Sequence, residues 1–393
     1  MSDSLTKKIR IPSTVWMLGC VSLLMDISSE MVHALLPLFM VTVLAASATT
    51  VGLIEGVAEA TALIVKIFSG VLSDYVGKRK PLAVCGYGMA ALTKPLFALA
   101  SGTGWIFTAR FIDRIGKGIR GAPRDALIAD VTPKHLQGAA FGLRQSLDSI
   151  GAFLGPLLAI ALMLLWQNDF RAVFWVAVIP AFLALALLIV GVREPVRPAS
   201  SVVRPFPISR AGLRALPAYY WWVVSVGAAL TLARFSEAFL ILRAHQSGLG
   251  LAWIPLVLVA MNVVYAACAY PLGVLADRLS RPALLAAGIV PLIGADLLLA
   301  HSAALPWLAG GVILWGLHMA ATQGLLAAMV AASAPEHLRG TAFGLYSLAS
   351  GGAMLIASVL AGLLWDHYGA AMTFYSGALF AALSFLLLLM RRH

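Results

Sequence analysis

Charge is scarce in this sequence. Of 393 residues only 11% are Asp, Glu, Lys or Arg, where soluble domains carry about 25%. With 61% hydrophobic residues and a mean hydropathy of +0.92, a water-soluble globular fold is excluded. Cysteine is scarcer still. Cys20, Cys85 and Cys268 each lie within an apolar run and read as small buried hydrophobes, not as a disulfide framework or a thiolate metal site. Acids are outnumbered by bases, 17 against 28, for a net charge of +11. Nucleic acid is nevertheless not the expected partner, because the bases sit in short loops between apolar runs instead of on one soluble face. The chain lacks G-x-S-x-G, H-E-x-x-H and G-x-x-x-x-G-K-[ST], and with them the hydrolase, zinc-protease and P-loop signatures. "GKGIRG" at Gly116 to Gly121 misses the Lys-Ser/Thr ending. Neither an enzyme nor a cofactor is expected.

What is abundant is long apolar runs. A membrane span needs ~20 apolar residues in succession. Such runs centre near Met25, Ile64, Ala90, Phe111, Leu154 and Phe182, then near Ala229, Val264, Ile289, Leu314, Leu355 and Ser384, about twelve in all. Lys7, Lys8 and Arg10 followed by an apolar run mimic a secretory leader, with "AASA" at Ala45 to Ala48 as a cleavage site. The run is too long for that, Asp26 and Glu30 break it, and further spans follow, so it reads as the first transmembrane helix. Between the sixth and seventh runs lies a stretch rich in Pro, Ser and Arg. The expected division is residues 1–192, a linker at 193–217, and residues 218–393.

Alternate loops carry the positive charge: Lys78, Arg79 and Lys80, then Arg120, Arg124 and Lys134, then the linker, Arg278 with Arg281, and Arg339. The intervening loops carry almost none, Arg171 and Arg243 being the exceptions. The positive-inside rule then places both termini and the linker in the cytoplasm. The halves also repeat. "PKHLQGAAFGL" from Pro133 matches "PEHLRGTAFGL" from Pro335, and "GVLSDYVGKRKPLA" from Gly70 matches "GVLADRLSRPALLA" from Gly273. One six-helix unit occurring twice in the same orientation is the architecture of a two-bundle transporter, with its binding site near midplane between the bundles.

The duplicated loop motif resembles that of the major facilitator superfamily, over essentially the whole chain. The resemblance implies an all-α membrane protein of two pseudo-symmetric six-helix bundles. It also implies a secondary transporter in the inner (plasma) membrane, working as a monomer in the lipid bilayer. "GAFLGPLLA" (Gly151, Gly155 and Pro156) resembles the Gly-Pro motif of proton-coupled antiporters, and "RFIDRIGKG" from Arg110 resembles their arginine motif, with Arg114 and Lys117 in place of small residues. By the same resemblance Gly70, Asp74, Gly77, Lys78, Arg79, Asp277 and Arg281 form a cytoplasmic gate, in which Asp74 holds the opposite bundle. Lys78, Arg79 and Lys80 also suit anionic lipid headgroups.

Ionisable residues inside spans are costly and face a cavity or one another. Asp26, Glu30 and His33 fall within roughly 60° on the first span. Glu55, Glu59 and Lys66 share a face of the second, and "RFSEAF" in the seventh brings Arg234 and Glu237. Lys94, Arg110, Asp113, Arg144, Asp148, Asp296 and His318 are further polar groups within spans. Ion pairs such as Glu59 with Lys66 or Arg144 with Asp148 are the structural reading. Asp26 and Glu30 are the expected proton-coupling acids, since related antiporters carry a first-span acid. His33, Glu55, Glu59, Arg110, Arg234 and Glu237 are the expected cargo cavity. Trp16, Phe235, Trp221 and Trp222 offer aromatic surface for cargo or an interfacial belt.

The leading expectation is proton-coupled efflux of a small organic drug or metabolite by alternating access. The alternative is export of a divalent metal or metal chelate through the same fold, with Asp26, Glu30 and His33 as ligands. A lipid scramblase or passive facilitator is the third reading.

Overall fold

The computed structural model describes residues 11–76, 78–194, 215–276, 279–322, 324–335 and 338–390. Most of the linker, with Gly77 and Asp277 of the expected gate, lies outside them, as does the side chain of Asp74.

The first half consists of α1 (Ser13–Thr42), α2 (Ala48–Val76), α3 (Lys80–Leu99), α4 (Thr103–Val131), α5 (Gln137–Leu165) and α6 (Phe170–Gly191). In the second half the seventh span is broken into α7 (Ala218–Ala233) and α8 (Ala238–Gln246), and α9 (Leu256–Ala276) and α10 (Arg281–His301) follow. The tenth span is broken too, into α11 (Leu305–Thr322) and α12 (Leu325–Ser333), before α13 (Arg339–Tyr368) and α14 (Ala370–Leu389). Ten of these spans are long and apolar enough to cross a membrane. Helices α2 and α4, at 29 residues each, complete the set of twelve. The described residues contain no strand.

Each half packs on itself. Helix α1 lies against α5 and α6, and α4 is held between α2 and α3; in the second half α10 contacts α11 and α14. The strongest contact across the halves is between α2 and α13. There a Cβ on Gly52 would stand 2.1 Å from the Ser358 carbonyl oxygen, and one on Gly362 would stand 2.5 Å from that of Ala48. Small residues permit such backbone approach within lipid, where close packing replaces the hydrophobic effect as glue. The seam follows the first half of α2 and the last half of α13, so the bundles are joined at the face remote from the start of α1.

The two exceptions to the loop charge pattern have structural tasks. Arg171 donates to the carbonyls of Ala98 (3.3 Å) and Ala100 (2.7 Å) at the end of α3 and lies over Phe39. Arg243 donates to the carbonyl of Leu299 (2.9 Å) near the end of α10 and lies over Phe374. A guanidinium supplies the donors that helix ends need. These arginines are tied to carbonyls within each half, which accounts for their place on the side otherwise poor in basic residues. The cysteines are free, and none is buried as expected: Cys85 is exposed, and Cys20 and Cys268 are half-buried.

Candidate functional site

Helix α4 organises the charge in the first half. Its sequence puts Arg110, Asp113, Arg114, Lys117 and Arg120 at three- and four-residue steps, a single stripe. The stripe is met by acids and bases of the flanking helices. Arg110 clasps Glu55 of α2 in a bidentate pair at 3.0 and 2.7 Å, with Glu55 fully buried. Lys94 of α3 donates to Asp113 at 3.0 Å and to Ser29 of α1 at 3.1 Å. Arg114 pairs with Glu59 at 3.2 Å. The expected partner of Glu59, Lys66, is exposed; the arginine across the helix interface takes its place because α4 packs directly on α2. The expected pair of Arg144 with Asp148 is present. Arg120 lies over the Tyr87 ring at 4.7 Å. Breaking one partner from a buried pair of this kind leaves an uncompensated charge and costs about 3–5 kcal/mol.

Helix α1 carries the acids of the opening stripe. His33 reaches Glu30 at 3.4 Å through Nδ1 and Glu55 at 3.8 Å through Nε2. The Gly-Pro motif of α5 packs directly beneath these residues. A Cβ on Gly151 would lie 2.9 Å from that of Asp26, and one on Gly155 would lie 2.6 Å from that of Glu30. The two motifs singled out in the sequence are therefore one contact: the glycines seat the acids.

Between the halves lies a central space with two lobes that share Ala152, Asn262 and Met319. The first, of 280 Å³, is lined by Glu30, His33, Glu59, Arg114 and Lys117 from the first half. Arg234, Glu237, Phe235 and Trp315 line it from the second. The second lobe, of 530 Å³, holds Asp26 with Asp148 and Gln145. Both lie on the side of the α2–α13 seam nearer the start of α1. Arg234 and Glu237 reach the first lobe because the seventh span is interrupted between α7 and α8. Ser236 patches the break: its backbone N–H donates to Ser358 Oγ at 3.3 Å, and its own Oγ accepts from the Ala238 N–H at 3.2 Å.

Of the expected cavity residues, His33, Glu59, Arg234 and Glu237 line the space together with Glu30. Glu55 and Arg110 do not; their mutual pair is sunk behind His33. Asp26 stands in the other lobe. The metal alternative is not supported by this arrangement. Among the described residues no three His, Cys, Asp or Glu side chains converge as a metal site. Asp26 faces Asp148 while His33 faces Glu30 and Glu55. Of the four aromatics named from sequence only Phe235 lines a lobe, and Trp16 and Trp221 are exposed on the outside. Trp315 and Lys117 were not expected there. Lys117 had a signal, its place on the α4 stripe; Trp315 had none beyond an apolar run.

The described gate residues make contacts inside their own halves. Arg79 pairs with Asp130 of α4 at 3.1 Å, and Glu194 accepts from the backbone N–H groups of Arg79 and Lys80. Gly70 stands beside Ala122 of α4, Lys78 is exposed, and Arg281 donates to the Ala328 carbonyl at 3.4 Å.

The profile of the Major Facilitator Superfamily matches residues 18–264 and 238–393. An uncharacterized MFS-type transporter of Methanocaldococcus jannaschii is 33% identical over 387 residues, 96% of this chain and 95% of that protein. Multidrug resistance protein MdtH of Photorhabdus laumondii is 30% identical over 154 residues, 39% of this chain and 37% of that one. Among solved structures, the nucleoside transporter NupG superposes with a TM-score of 0.76 at 13% identity, covering 96% of this chain and 99% of that one. A POT family transporter superposes at 0.80 and 12%, covering 96% and 95%. At such identities the structural likeness is one of fold. The repeated six-helix unit, the central two-lobed space and the match along both halves lead to one conclusion: this chain belongs to the Major Facilitator Superfamily of membrane transporters.

Proposed function

We propose that the chain is a proton-coupled exporter of a small organic compound. It works as a monomer by alternating access in the inner membrane, with both termini and residues 193–217 on the cytoplasmic side. The observation that carries the reading is the seating of Asp26 and Glu30 on Gly151 and Gly155, with both acids bordering the central space. Asp26 takes the proton. Bare, it is an anion beside Asp148; protonated, it is neutral, and the two forms favour different states of the bundles. Glu30, with His33, Arg234 and Glu237, receives cargo between the halves. The partial likeness to a multidrug resistance protein supports an organic cargo. Asp74 and its repeat Asp277 hold the alternative state, closed on the cytoplasmic side.

Flux in proteoliposomes under an imposed pH gradient, run against a panel of dyes, drugs and divalent metals, tests the reading. Asp26→Asn fixes a neutral side chain of nearly the same shape. It is expected to abolish gradient-driven flux and to retain cargo binding or gradient-free exchange. Full pH-driven flux in Asp26→Asn would make this acid a structural element and remove the proton assignment.

A further inference from the structure

The ion pairs described above all lie in the first half of the chain. The second half contains a buried acid with no partner among the described residues. Asp296, on α10, is fully buried, and neither of its carboxyl oxygens has a hydrogen-bond partner among the described residues. Its berth is cut by a glycine: a Cβ on Gly377 of α14 would stand 2.6 Å from Asp296 Oδ2 and 2.9 Å from the ring of Phe235. The carboxyl group and the aromatic ring thus meet at the same bare point of the α14 backbone. Phe235 belongs to the break between α7 and α8. It packs on Trp315 and Phe374, with ring centroids at 5.8 and 5.6 Å, and lines the central space. Asp296 stands beside that wall without lining either lobe.

Among the described residues the surrounding elements bring no countercharge. On the broken seventh span, Arg234 and Glu237 turn to the cavity, and Arg243 is spent on the Leu299 carbonyl and Gln246. On α11, His318 donates through Nδ1 to the carbonyl of Gly288, two helical turns from Asp296. On α12 the sequence Leu325–Ser333 has no titratable group, and on α14 the sole one, Tyr375, is exposed. An isolated carboxylate in such a place costs several kcal/mol, whereas a neutral acid costs far less.

We propose that Asp296 is a proton-binding site of the second bundle, shuttered from the central space by Phe235. While the ring covers it, Asp296 holds its proton as the neutral acid. When the break between α7 and α8 shifts, cavity water reaches the carboxyl. The O–H bond then breaks, the proton passes to water as hydronium, and the carboxylate remains in contact with that water until the reverse step reloads it. The site gives the second half a proton-dependent element separate from Asp26. Its role in coupling rests on the transport reading above; its existence does not.

Infrared difference spectroscopy on the purified full chain in liposomes tests it. At about pH 8, where solvated carboxyls are ionised, the native protein is expected to show the carbonyl stretch of a protonated acid. Isotope-labelled aspartate should shift that band, and Asp296→Asn should remove it. In Phe235→Ala, or Phe235→Leu if the smaller residue destabilises the fold, the band should become reversible with the pH of the medium. A native spectrum without the band means a hydrated carboxylate and overturns the proposal. So does a band that loses no intensity in Asp296→Asn, or one whose Asp296 component stays fixed with the shutter removed. Flux measured alongside separates the two readings. The band in the native protein, with no gradient-driven flux by that same protein, sinks proton-coupled transport and leaves the site. An unchanged proton-to-cargo ratio in Asp296→Asn overturns its part in coupling.

Discussion

The carboxylate of Asp366 accepts a hydrogen bond from the backbone N–H of Ala48 at 3.0 Å, across 318 residues of sequence. Its other oxygen accepts from the Thr49 N–H at 2.8 Å. The N-terminus of α2 in one bundle is therefore capped by a side chain from the last turn of α13 in the other. A cap of this kind satisfies orphan donors and meets the positive end of the helix dipole.

Asp366→Ala should release that clasp. A lost cap costs about 1 kcal/mol, and the equilibrium between the bundle arrangements should shift about fivefold away from the one described. A cysteine at a buried position of the seam, Gly52→Cys excepted for lack of room, reports the shift by its labelling rate from the face remote from the start of α1. An unchanged rate would mean that backbone packing alone holds the seam.

Gly155→Ala should separate α1 from α5. The new Cβ falls 2.6 Å from that of Glu30 and 3.0 Å from the Ile27 carbonyl oxygen, and overpacking costs about 1–3 kcal/mol. A lower Tm in detergent and a loss of flux well beyond tenfold are expected, because the displaced atoms carry Glu30. Gly142→Ala, a change with nothing within 4 Å, should leave Tm unmoved.

Glu55→Gln should destabilise more than any single change at the cavity wall, by about 3–5 kcal/mol, since it strands the buried Arg110. The double change Glu55→Leu with Arg110→Met should recover most of that loss. Thermal unfolding of the three variants decides it. A double variant as unstable as Glu55→Gln would show that the pair supports more than its own charges.

Arg171→Ala and Arg243→Ala should each lower Tm, because each strands helix-end carbonyls whose bonds to a charged donor are worth about 1.5–3 kcal/mol. Arg243→Lys should rescue only in part, since one ammonium does not reproduce the fork that meets Leu299 and Gln246 together. Equal stability of lysine and arginine there would reduce the residue to a point charge.

Much of the architecture was legible because its signals are periodic or repeated. Apolar runs mark the spans, and two duplicated motifs mark the halves. The α1 stripe was legible for the same reason: a step of three or four residues fixes a shared face. The pairing of the charges was not. Glu59 has Lys66 on its own face, yet Arg114 takes it, and only the packing of α4 on α2 decides between them. The breaks at Arg234 and Gly324 left little trace, since the first carries no proline or glycine. Gly324 adopts φ of +78°, a left-handed conformation glycine tolerates, but one glycine among 35 announces nothing. The clasp of Asp366 on α2 joins residues hundreds of positions apart, beyond the reach of any local pattern.

Both interrupted spans, α7–α8 and α11–α12, fall in the second half, while the dense ion pairing of α4 with α2 and α3 falls in the first. Two copies of one unit have thus come to differ in mechanical character. The first is braced internally by charge and resists bending. The second has a joint in each of two spans, one of them presenting Arg234, Phe235 and Glu237 to the cavity. Any molecule held in the central space touches a stiff wall on one side and a jointed wall on the other. Adjustment to its shape is the business of the jointed wall, and small changes at Ser236 or Gly324 should alter which molecules fit before they disturb the charged wall of the first half.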